Sequence, residues 1–291
     1  MFRFLLVNSL VLGGIYGLIA LGYSLIYKAS GLMSFVQGDM ITFGAYLGFT
    51  FYRIFGLSIY LSFFLTLFCA FAVGMLLEKG VIRIMMKKNV MPMYIVLATI
   101  AISYIIQNSA QAVYGARTQF FPQIFARRTL TIFGITAQTE AYVCLIVSPA
   151  LMIILHLFMT KTRFGTAMRS ATMDPMAAES CGINTSLCTG VAWGLAAAIA
   201  SIAGMFLGPL YGVYTTLGAT IGRKGFSGAV IGGFGNLYGA MLGGLTLGIV
   251  ETFVANFLSS SYKNLIAYFI LLVFLLIKPT GVFNEQAIKD V

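Results

Sequence analysis

The residues that could do chemistry are few, and they are scattered along the chain. The sequence contains no H-E-x-x-H motif, no G-x-S-x-G motif and no paired acids. It has one histidine, His156, and its four cysteines form no C-x-x-C pair: Cys69, Cys144, Cys181 and Cys188. Because metal sites, disulfide frameworks and hydrolytic sites rest on such patterns, we predict that the chain is not an enzyme and binds no metal.

The run from Gly218 to Gly225 comes closest to a nucleotide-binding motif. It is one residue short of G-x-x-x-x-G-K-[ST], and Gly225 stands where a serine or threonine would coordinate magnesium. We interpret the match as chance and predict that this chain binds no cofactor.

Composition identifies the solvent around these residues. Of the 291 residues, 9% are charged and 59% are hydrophobic, and the mean hydropathy is +0.95. A typical globular protein has about 25% charged residues. Polar side chains this few cannot cover a compact body in water, so lipid must surround much of the chain. This excludes soluble enzymes and nucleic-acid-binding proteins, and we assign the net charge of +10 to loops beside a membrane.

Apolar runs long enough to cross a bilayer divide the chain, since a hydrocarbon core of about 30 Å needs about 20 helical residues. We predict an all-α fold, a polytopic membrane bundle of about eight transmembrane helices, which forms one transmembrane domain over residues 1–291. The predicted spans are 4–27, 40–56, 57–77, 91–114, 139–160, 189–208, 238–257 and 262–278.

Residues 225–236 are apolar but too short to cross the membrane as an ordinary helix. We predict a broken or re-entrant element here, which is tolerated only where the backbone is buried in protein or lines a cavity. Its glycines, among them Gly232 and Gly233, could therefore line a pathway. Tight packing of helices through pairs such as Gly244/Gly248 is the alternative.

Polar segments interrupt the apolar runs. The segment Glu78–Asn89 mixes basic residues with apolar ones, which is typical of a helix at the lipid interface. Residues 115–138 alternate polar and aromatic side chains, which fits either a docking surface or an ordinary loop.

Residues 161–188 form the most informative polar segment. Asp174 is a good N-cap, Pro175 suits the first helical position, and Gly182 can end a helix in the left-handed conformation. The sequence therefore predicts a helix of about two turns. Asp174 and Glu179 keep it out of the hydrocarbon, because each acid there costs about 2.5 to 3.5 kcal/mol. Small side chains form a surface that a partner could bury: Ala177, Ala178, Cys181 and Ile183.

Three separated motifs resemble the permease family of ATP-binding-cassette importers for branched-chain amino acids. The first includes Ala20-Leu21-Gly22, Leu25-Ile26-Tyr27 and Gly44-Ala45-Tyr46. The second resembles the family's cytoplasmic coupling loop and includes Thr162-Arg163-Phe164-Gly165, Asp174-Pro175, Ala177-Ala178 and Gly182. The third includes Gly232-Gly233, Gly239-Ala240, Gly243-Gly244, Glu251 and Lys278-Pro279-Thr280-Gly281. Together the motifs cover nearly the whole chain.

The resemblance implies a permease subunit in the inner membrane of a bacterium, which translocates amino acids that a periplasmic binding protein delivers. This chain and a second permease chain, either a related subunit or a second copy, would form the path. Two cytoplasmic ATPase subunits would use ATP and magnesium to drive it. Branched-chain amino acids are the implied ligands, although related permeases handle other amino acids, urea or amides.

The resemblance also implies roles for individual residues. Those that would couple the chain to the ATPase subunits are Asp174, Pro175, Ala177, Ala178, Glu179 and Gly182. Those near the substrate path would be Ser34, Gln37, Asp39, Gly232 and Gly233. The family commonly has Asn-Phe-Ala-His-Gly-Glu where residues 34–39 read Ser-Phe-Val-Gln-Gly-Asp. If this segment lines the path, its hydrogen-bonding capacity is kept while the titration of histidine is lost.

A cytoplasmic segment at 161–188 would place the N-terminus outside and the C-terminus inside, provided that residues 225–236 count as a crossing. In this count Arg223 and Lys224 lie in an outside loop. Basic residues are divided too evenly between the two sides to decide the orientation.

The rival class is an ion- or proton-coupled secondary transporter, or a channel, for a small polar solute. Such proteins need ionisable groups at mid-membrane, where only Glu251 qualifies. We interpret Glu251 as a helix-packing residue in preference to a coupling carboxylate. We interpret His156 as a residue that snorkels or bonds a neighbouring carbonyl group.

Overall fold

A computed structural model describes residues 2–121, 129–132, 135–278 and 280–283 of the chain. Twelve α-helices make up most of this part, which confirms the predicted helical membrane bundle. In chain order they are α1 Phe2–Ser30, α2 Val36–Phe49, α3 Ile59–Leu77, α4 Arg83–Lys87, α5 Pro92–Tyr114, α6 Thr139–Lys161, α7 Arg163–Met173, α8 Pro175–Ser180, α9 Thr185–Tyr211, α10 Leu217–Gly232, α11 Leu237–Phe257 and α12 Lys263–Ile277. Two π-helical segments, Thr50–Ile54 and Glu78–Ile82, follow α2 and α3. An antiparallel hairpin of β1 (Thr129–Ile132) and β2 (Ile135–Gln138) precedes α6.

Six of the described helical runs are long and apolar enough, by length and composition, to cross a membrane. They are Phe4–Ser30, Ile59–Lys87, Pro92–Tyr114, Thr139–Lys161, Thr185–Tyr211 and Leu237–Phe257. The predicted spans at 40–56 and 262–278 are not among these six, and they correspond to α2 with its π-helical extension and to the 15-residue α12.

Helix α1 packs closely against α11, and glycines make the approach possible. A Cβ on Gly244 would lie 2.4 Å from the Cα of Gly17, and one on Gly248 would lie 2.3 Å from the Cα of Gly13. Such distances leave no room for a side chain, so the two backbones touch directly. At this interface the glycine pairs serve helix packing.

Helix α3 does not end where the sequence predicts an interfacial helix. It continues through the π-helical turn into α4, so that Ile59–Lys87 is one helical run. Glu78 is only 2% exposed, and it forms an ion pair with Arg83 within the run. The predicted helix at Glu78–Asn89 is therefore present as the end of this run, where the ion pair lets Glu78 stay inside the protein, and its place at the lipid interface stays a prediction.

The glycine-rich segment 225–236 is helical up to Gly232, so the predicted break falls in its last four residues. Helix α10 runs without interruption to Gly232, and the chain turns at Gly233, whose φ of +109° favours glycine. The low helix propensity of glycine suggests a break, but close packing overrides it. A Cβ on Gly228 would lie 2.8 Å from the Cα of Gly244 in α11. The run that resembles a phosphate loop lies within α10 and is helical.

The predicted gap between the first two spans is present but shorter, at residues 31–35 between α1 and α2, and Ser34 within it is buried. Helix α2 starts beside the last third of α1, since a Cβ on Gly22 would lie 2.1 Å from the amide nitrogen of Gln37. Gly22 precedes the end of α1 by about 12 Å at 1.5 Å per residue. The backbone N–H of Phe35 donates to Oγ1 of Thr99 in α5 at 3.1 Å, which holds this recessed start in place.

Candidate functional site

Residues 161–188 fold into α7, α8 and the first turn of α9. The predicted helix is present as α8, with Pro175 as its first residue. Oδ1 of Asp174 accepts the backbone N–H of Ala177 at 3.0 Å, which is the predicted N-cap. Gly182 follows with a φ of +81°, the left-handed conformation predicted for it.

Ala178 differs from the other residues predicted to face a partner. It is 4% exposed, and its carbonyl accepts the N–H of Ile183 at 3.0 Å within the turn. A partner cannot bury a side chain that the chain already buries, so this part of the predicted surface is wrong. Between residues 173 and 182 the exposed residues are Met173, Asp174, Pro175, Met176, Ala177, Glu179, Ser180, Cys181 and Gly182.

Sequence reasoning misses α7. Oγ1 of Thr162 accepts the N–H of Gly165 at 3.0 Å and so caps the helix. Gly165 allows α7 to lie on the end of α6, since a Cβ there would lie 2.4 Å from the carbonyl oxygen of Phe158. The sequence does contain a signal for α7. Thr162 stands at a capping position, and polar residues flank Met168, which is buried in the structure.

Two polar contacts fasten the start of α9 to its surroundings. Oγ1 of Thr185 donates to Oε1 of Glu179 at 2.5 Å, which joins α9 to α8. The guanidinium group of Arg83 donates to the carbonyl oxygen of Ser186 at 2.6 Å and to Oε2 of Glu78 at 2.5 Å. The 161–188 segment is thereby connected to the long run that begins with α3.

A small cavity lies at the recessed start of α2, among α1, α2, α3 and α9. Ser34 and Gln37 line it together with Trp193 of α9, and the rest of the lining is apolar. The space admits about one water molecule. Two of the predicted path residues therefore share an internal space with Trp193, which sequence reasoning did not identify.

Three polar atoms of these lining residues have no hydrogen-bond partner in the described part of the chain: Oγ of Ser34, Oε1 of Gln37 and Nε1 of Trp193. The three residues are 2%, 1% and 3% exposed, respectively. Nε2 of Gln37 donates to the carbonyl oxygen of Ala196 at 2.9 Å, which leaves Oε1 as a free acceptor. Buried polar atoms are normally paired, so these three mark unmet hydrogen-bonding capacity.

Asp39 does not line this cavity. Its carboxylate accepts the hydroxyl of Ser103 and, at 3.0 Å, Nε2 of Gln107, both on α5. Residues two apart on a helix point to different faces, so Asp39 and Gln37 serve different neighbours. The structure thus separates Asp39 from the other two predicted path residues of this segment.

Gly232 and Gly233 lie at the turn between α10 and α11, not on the cavity. A Cβ on Gly232 would lie 1.9 Å from the carbonyl oxygen of Gly239, and the N–H of Phe283 donates to the carbonyl of Gly232 at 3.1 Å. The described backbone fills this turn, which favours the packing interpretation of these glycines.

Aromatic rings connect the start of α2 with the α10–α11 turn. The ring of Phe226 lies 5.5 Å from that of Phe35 and 5.4 Å from that of Phe234, between centroids. Tyr23 and Tyr27 of α1 extend the cluster, at 5.6 Å from Phe226 and 5.2 Å from Phe234. A movement of the start of α2 would have to displace this cluster.

Glu251 has a charged partner that sequence reasoning places elsewhere. It forms an ion pair with Lys224, and both side chains are 4% exposed. Lys224 therefore lies inside the protein on α10 and not in an outside loop, and its ammonium group is 5.7 Å from the ring centroid of Tyr16. Nε2 of His156 lies 2.5 Å from the hydroxyl of Tyr238, a neighbour other than the expected carbonyl group.

Known proteins resemble the chain over nearly its whole length. Residues 5–275 match a family described as the permease component of the branched-chain amino acid transport system. The chain is 30% identical over 297 residues to the high-affinity branched-chain amino acid transport system permease protein LivH of Salmonella typhimurium, which covers 98% of this chain and 96% of the relative. It is 30% identical to the corresponding protein BraD of Pseudomonas aeruginosa, covering 98% and 97%. It is 28% identical to a probable branched-chain amino acid transport permease protein LivH of Methanocaldococcus jannaschii, covering 96% and 92%. No solved structure shows a significant match.

Proposed function

The chain belongs to the permease component family of the branched-chain amino acid transport system, and from this premise we propose that it is a membrane-spanning subunit of an ATP-binding-cassette importer for branched-chain amino acids. It is a transporter component and not itself an enzyme. In this proposal two separate cytoplasmic subunits hydrolyse ATP with magnesium, and a periplasmic binding protein delivers the ligand. A second permease chain, either a related subunit or a second copy, completes the path.

The observation that carries the proposal is the structure of the 161–188 segment, in particular its exposed helix α8. Helix α8 is short, capped by Asp174 and exposed at Met176, which is 80% exposed. Its acids, Asp174 and Glu179, keep it in water beside the membrane. A motor subunit that grips α8 moves α9 through the Thr185–Glu179 contact and α3 through Arg83.

We place the substrate path along the recessed start of α2, near Ser34 and Gln37. Discontinuous helices that end inside the membrane commonly form substrate sites in transporters. Asp39 holds this segment against α5 through Ser103 and Gln107. In this proposal Gly232 and Gly233 support the path from the α10–α11 turn, behind the aromatic cluster.

The proposed orientation places the 161–188 segment on the cytoplasmic side of a bacterial inner membrane, with the N-terminus in the periplasm and the C-terminus in the cytoplasm. The contact between Arg83 and Ser186 puts the end of the α3 run on the same side as the start of α9. The exposed Lys87, Lys88 and Lys161 therefore share this side, as the positive-inside rule favours.

The family and the contacts of Glu251 both favour the importer over an ion-coupled transporter. A coupling carboxylate must exchange its ion during the cycle. Glu251 is engaged with Lys224 inside the bundle, which supports the packing interpretation.

Reconstitution in liposomes tests the proposal. The chain is assembled with a second permease chain, the ATPase subunits and the binding protein, and uptake of radiolabelled leucine, isoleucine and valine is measured. Uptake should require ATP and every component. Uphill uptake by the chain alone on an ion gradient would contradict the importer class. ATP-driven uptake of other solutes, with none of the three amino acids, would contradict the ligand.

A further inference from the structure

The cavity at the start of α2 has a definite hydrogen-bonding character. The indole N–H of Trp193 can only donate, Oε1 of Gln37 can only accept, and the hydroxyl of Ser34 can do either. The direction of the Gln37 amide is fixed, because Nε2 already donates to the carbonyl of Ala196. A ligand that satisfies all three groups must offer both an acceptor and a donor.

This requirement narrows the class of ligand. A carboxylate alone has no proton for Gln37, and an ammonium group alone has no acceptor for Trp193. A zwitterionic amino acid carries both groups on one carbon atom. Among the described residues, no Asp, Glu, Lys or Arg lines the cavity, which suits a ligand without net charge.

The rest of the cavity also suits an amino acid with an aliphatic side chain. The remaining lining is apolar and includes Ile26, Met40 and Leu77, against which an aliphatic side chain can pack. The cavity also lies at the N-terminus of the 14-residue α2, whose N-cap, Phe35, has no side-chain acceptor for the first N–H groups. The positive end of a helix dipole favours a carboxylate beside the N-terminus.

We propose that Ser34, Gln37 and Trp193 bind the backbone groups of an amino acid during transport, an inference that rests on the proposed function. Trp193 and Ser34 donate to the α-carboxylate, and Oε1 of Gln37 accepts from the α-ammonium group. In the described conformation the space admits about one water molecule, so this is the closed form of the site. The amino acid enters when the start of α2 moves away from α9, a movement of the kind that alternating access requires.

The chain offers a direct probe, because Trp193 is its only tryptophan. Incorporation of 5-fluorotryptophan into this chain, followed by assembly with unlabelled partners in nanodiscs, gives one fluorine NMR signal from the cavity. During ATP-driven turnover L-leucine should shift or broaden this signal. Neither 4-methylpentanoate, which lacks the ammonium group, nor 3-methylbutylamine, which lacks the carboxylate, should do so. A signal insensitive to leucine in a complex that transports leucine would overturn the site.

Substitutions test the same groups by rate. Trp193→Phe and Ser34→Ala each remove one hydrogen bond to a charged ligand group, so each should lower the maximal rate of leucine uptake about tenfold. The affinity of the binding protein for leucine, a property of a separate chain, should not change. Ser24→Ala is the matched control, because Ser24 is also buried with an unpaired hydroxyl but does not line the cavity. Its maximal rate should equal that of the wild type.

The outcomes separate the two proposals. If the wild type, Trp193→Phe, Ser34→Ala and Ser24→Ala all transport leucine at the same maximal rate, the cavity holds only a structural water. The proposed site is then wrong, while the proposed function stands. If the wild-type complex moves no leucine, the proposed function is contradicted and the site with it.

Discussion

The guanidinium group of Arg83 bridges Glu78 and the carbonyl oxygen of Ser186, at 2.5 Å and 2.6 Å. Glu78 begins a π-helical turn, an irregularity that occurs frequently at functional sites. Ser186 lies in the first turn of α9, at the end of the 161–188 segment. Arg83 therefore connects the proposed docking segment with the run that begins at α3.

Arg83→Met should destabilise the protein, because it leaves the carboxylate of Glu78 buried without a partner. Breaking a buried pair costs about 3 to 5 kcal/mol, and we expect the lower end because the Arg83 side chain is 24% exposed. Thermal unfolding in detergent measures the loss. The double variant Arg83→Met/Glu78→Gln should recover much of it, and an equally unstable double variant would contradict the pairing.

Arg83→Lys should reduce coupling more than stability. Lysine keeps a positive charge near Glu78 but lacks the fork that lets Arg83 reach Ser186 at the same time. We expect fewer leucine molecules imported per ATP hydrolysed, measured in the same liposomes. An unchanged ratio, in a variant that unfolds at the wild-type temperature, would rule out Arg83 as the connection.

Met176→Glu should prevent productive contact with the ATPase subunits. The side chain is 80% exposed, so the change should alter the free energy of unfolding by no more than about 0.5 kcal/mol. Stimulation of ATP hydrolysis by the loaded binding protein should fall at least tenfold, as expected for a charge placed in an interface core. Met91→Glu is the control, since Met91 is 70% exposed and lies outside the 161–188 segment. Normal stimulation in Met176→Glu would contradict the docking role of α8.

Local sequence rules identify α8 because caps depend on residues that are close in the chain. Asp174 and Gly182 adopt the predicted conformations for this reason. The burial of Ala178 depends instead on how the segment folds back on itself. Glycine propensity likewise misleads at α10, where packing against the glycines of α11 outweighs it.

The sequence predicts only some of the residues that line the candidate cavity. Ser34 and Gln37 stand together in one segment, but Trp193 comes from α9, far along the chain, and only the folded bundle brings it to them. The pair of Lys224 and Glu251 is hidden in the same way, since nothing in the pattern of either helix specifies the other. Apolar runs predict helices well, whereas contacts between helices require the tertiary structure.

Glu251→Gln should destabilise the bundle, because it leaves the Lys224 ammonium group buried without its counter-charge. A loss of about 3 to 5 kcal/mol is typical of breaking such a pair. The double variant Glu251→Met/Lys224→Met removes both charges at similar volume and should restore most of the stability. Thermal unfolding of the three proteins decides this. If the double variant is stable but cannot transport, the charges have a functional role and the packing interpretation is wrong.

Gly182→Ala should cost about 1 to 2 kcal/mol through backbone conformation alone. Gly182 has a φ of +81°, and no described atom lies within 4 Å of an added Cβ, so a steric clash makes no contribution. Gly80 offers the matched comparison, because its Cβ would also meet no described atom, but it lies in a helical turn with an ordinary φ. Gly80→Ala should therefore be neutral or slightly stabilising. The loss of stability in Gly182→Asn should lie between those in Gly80→Ala and Gly182→Ala, since asparagine tolerates the left-handed conformation better than alanine. Thermal stabilities that decrease from glycine to asparagine to alanine at position 182, with no loss at position 80, would assign the cost to backbone strain. An equal loss at both positions would instead point to a general effect of adding a methyl group beside α8 and α9.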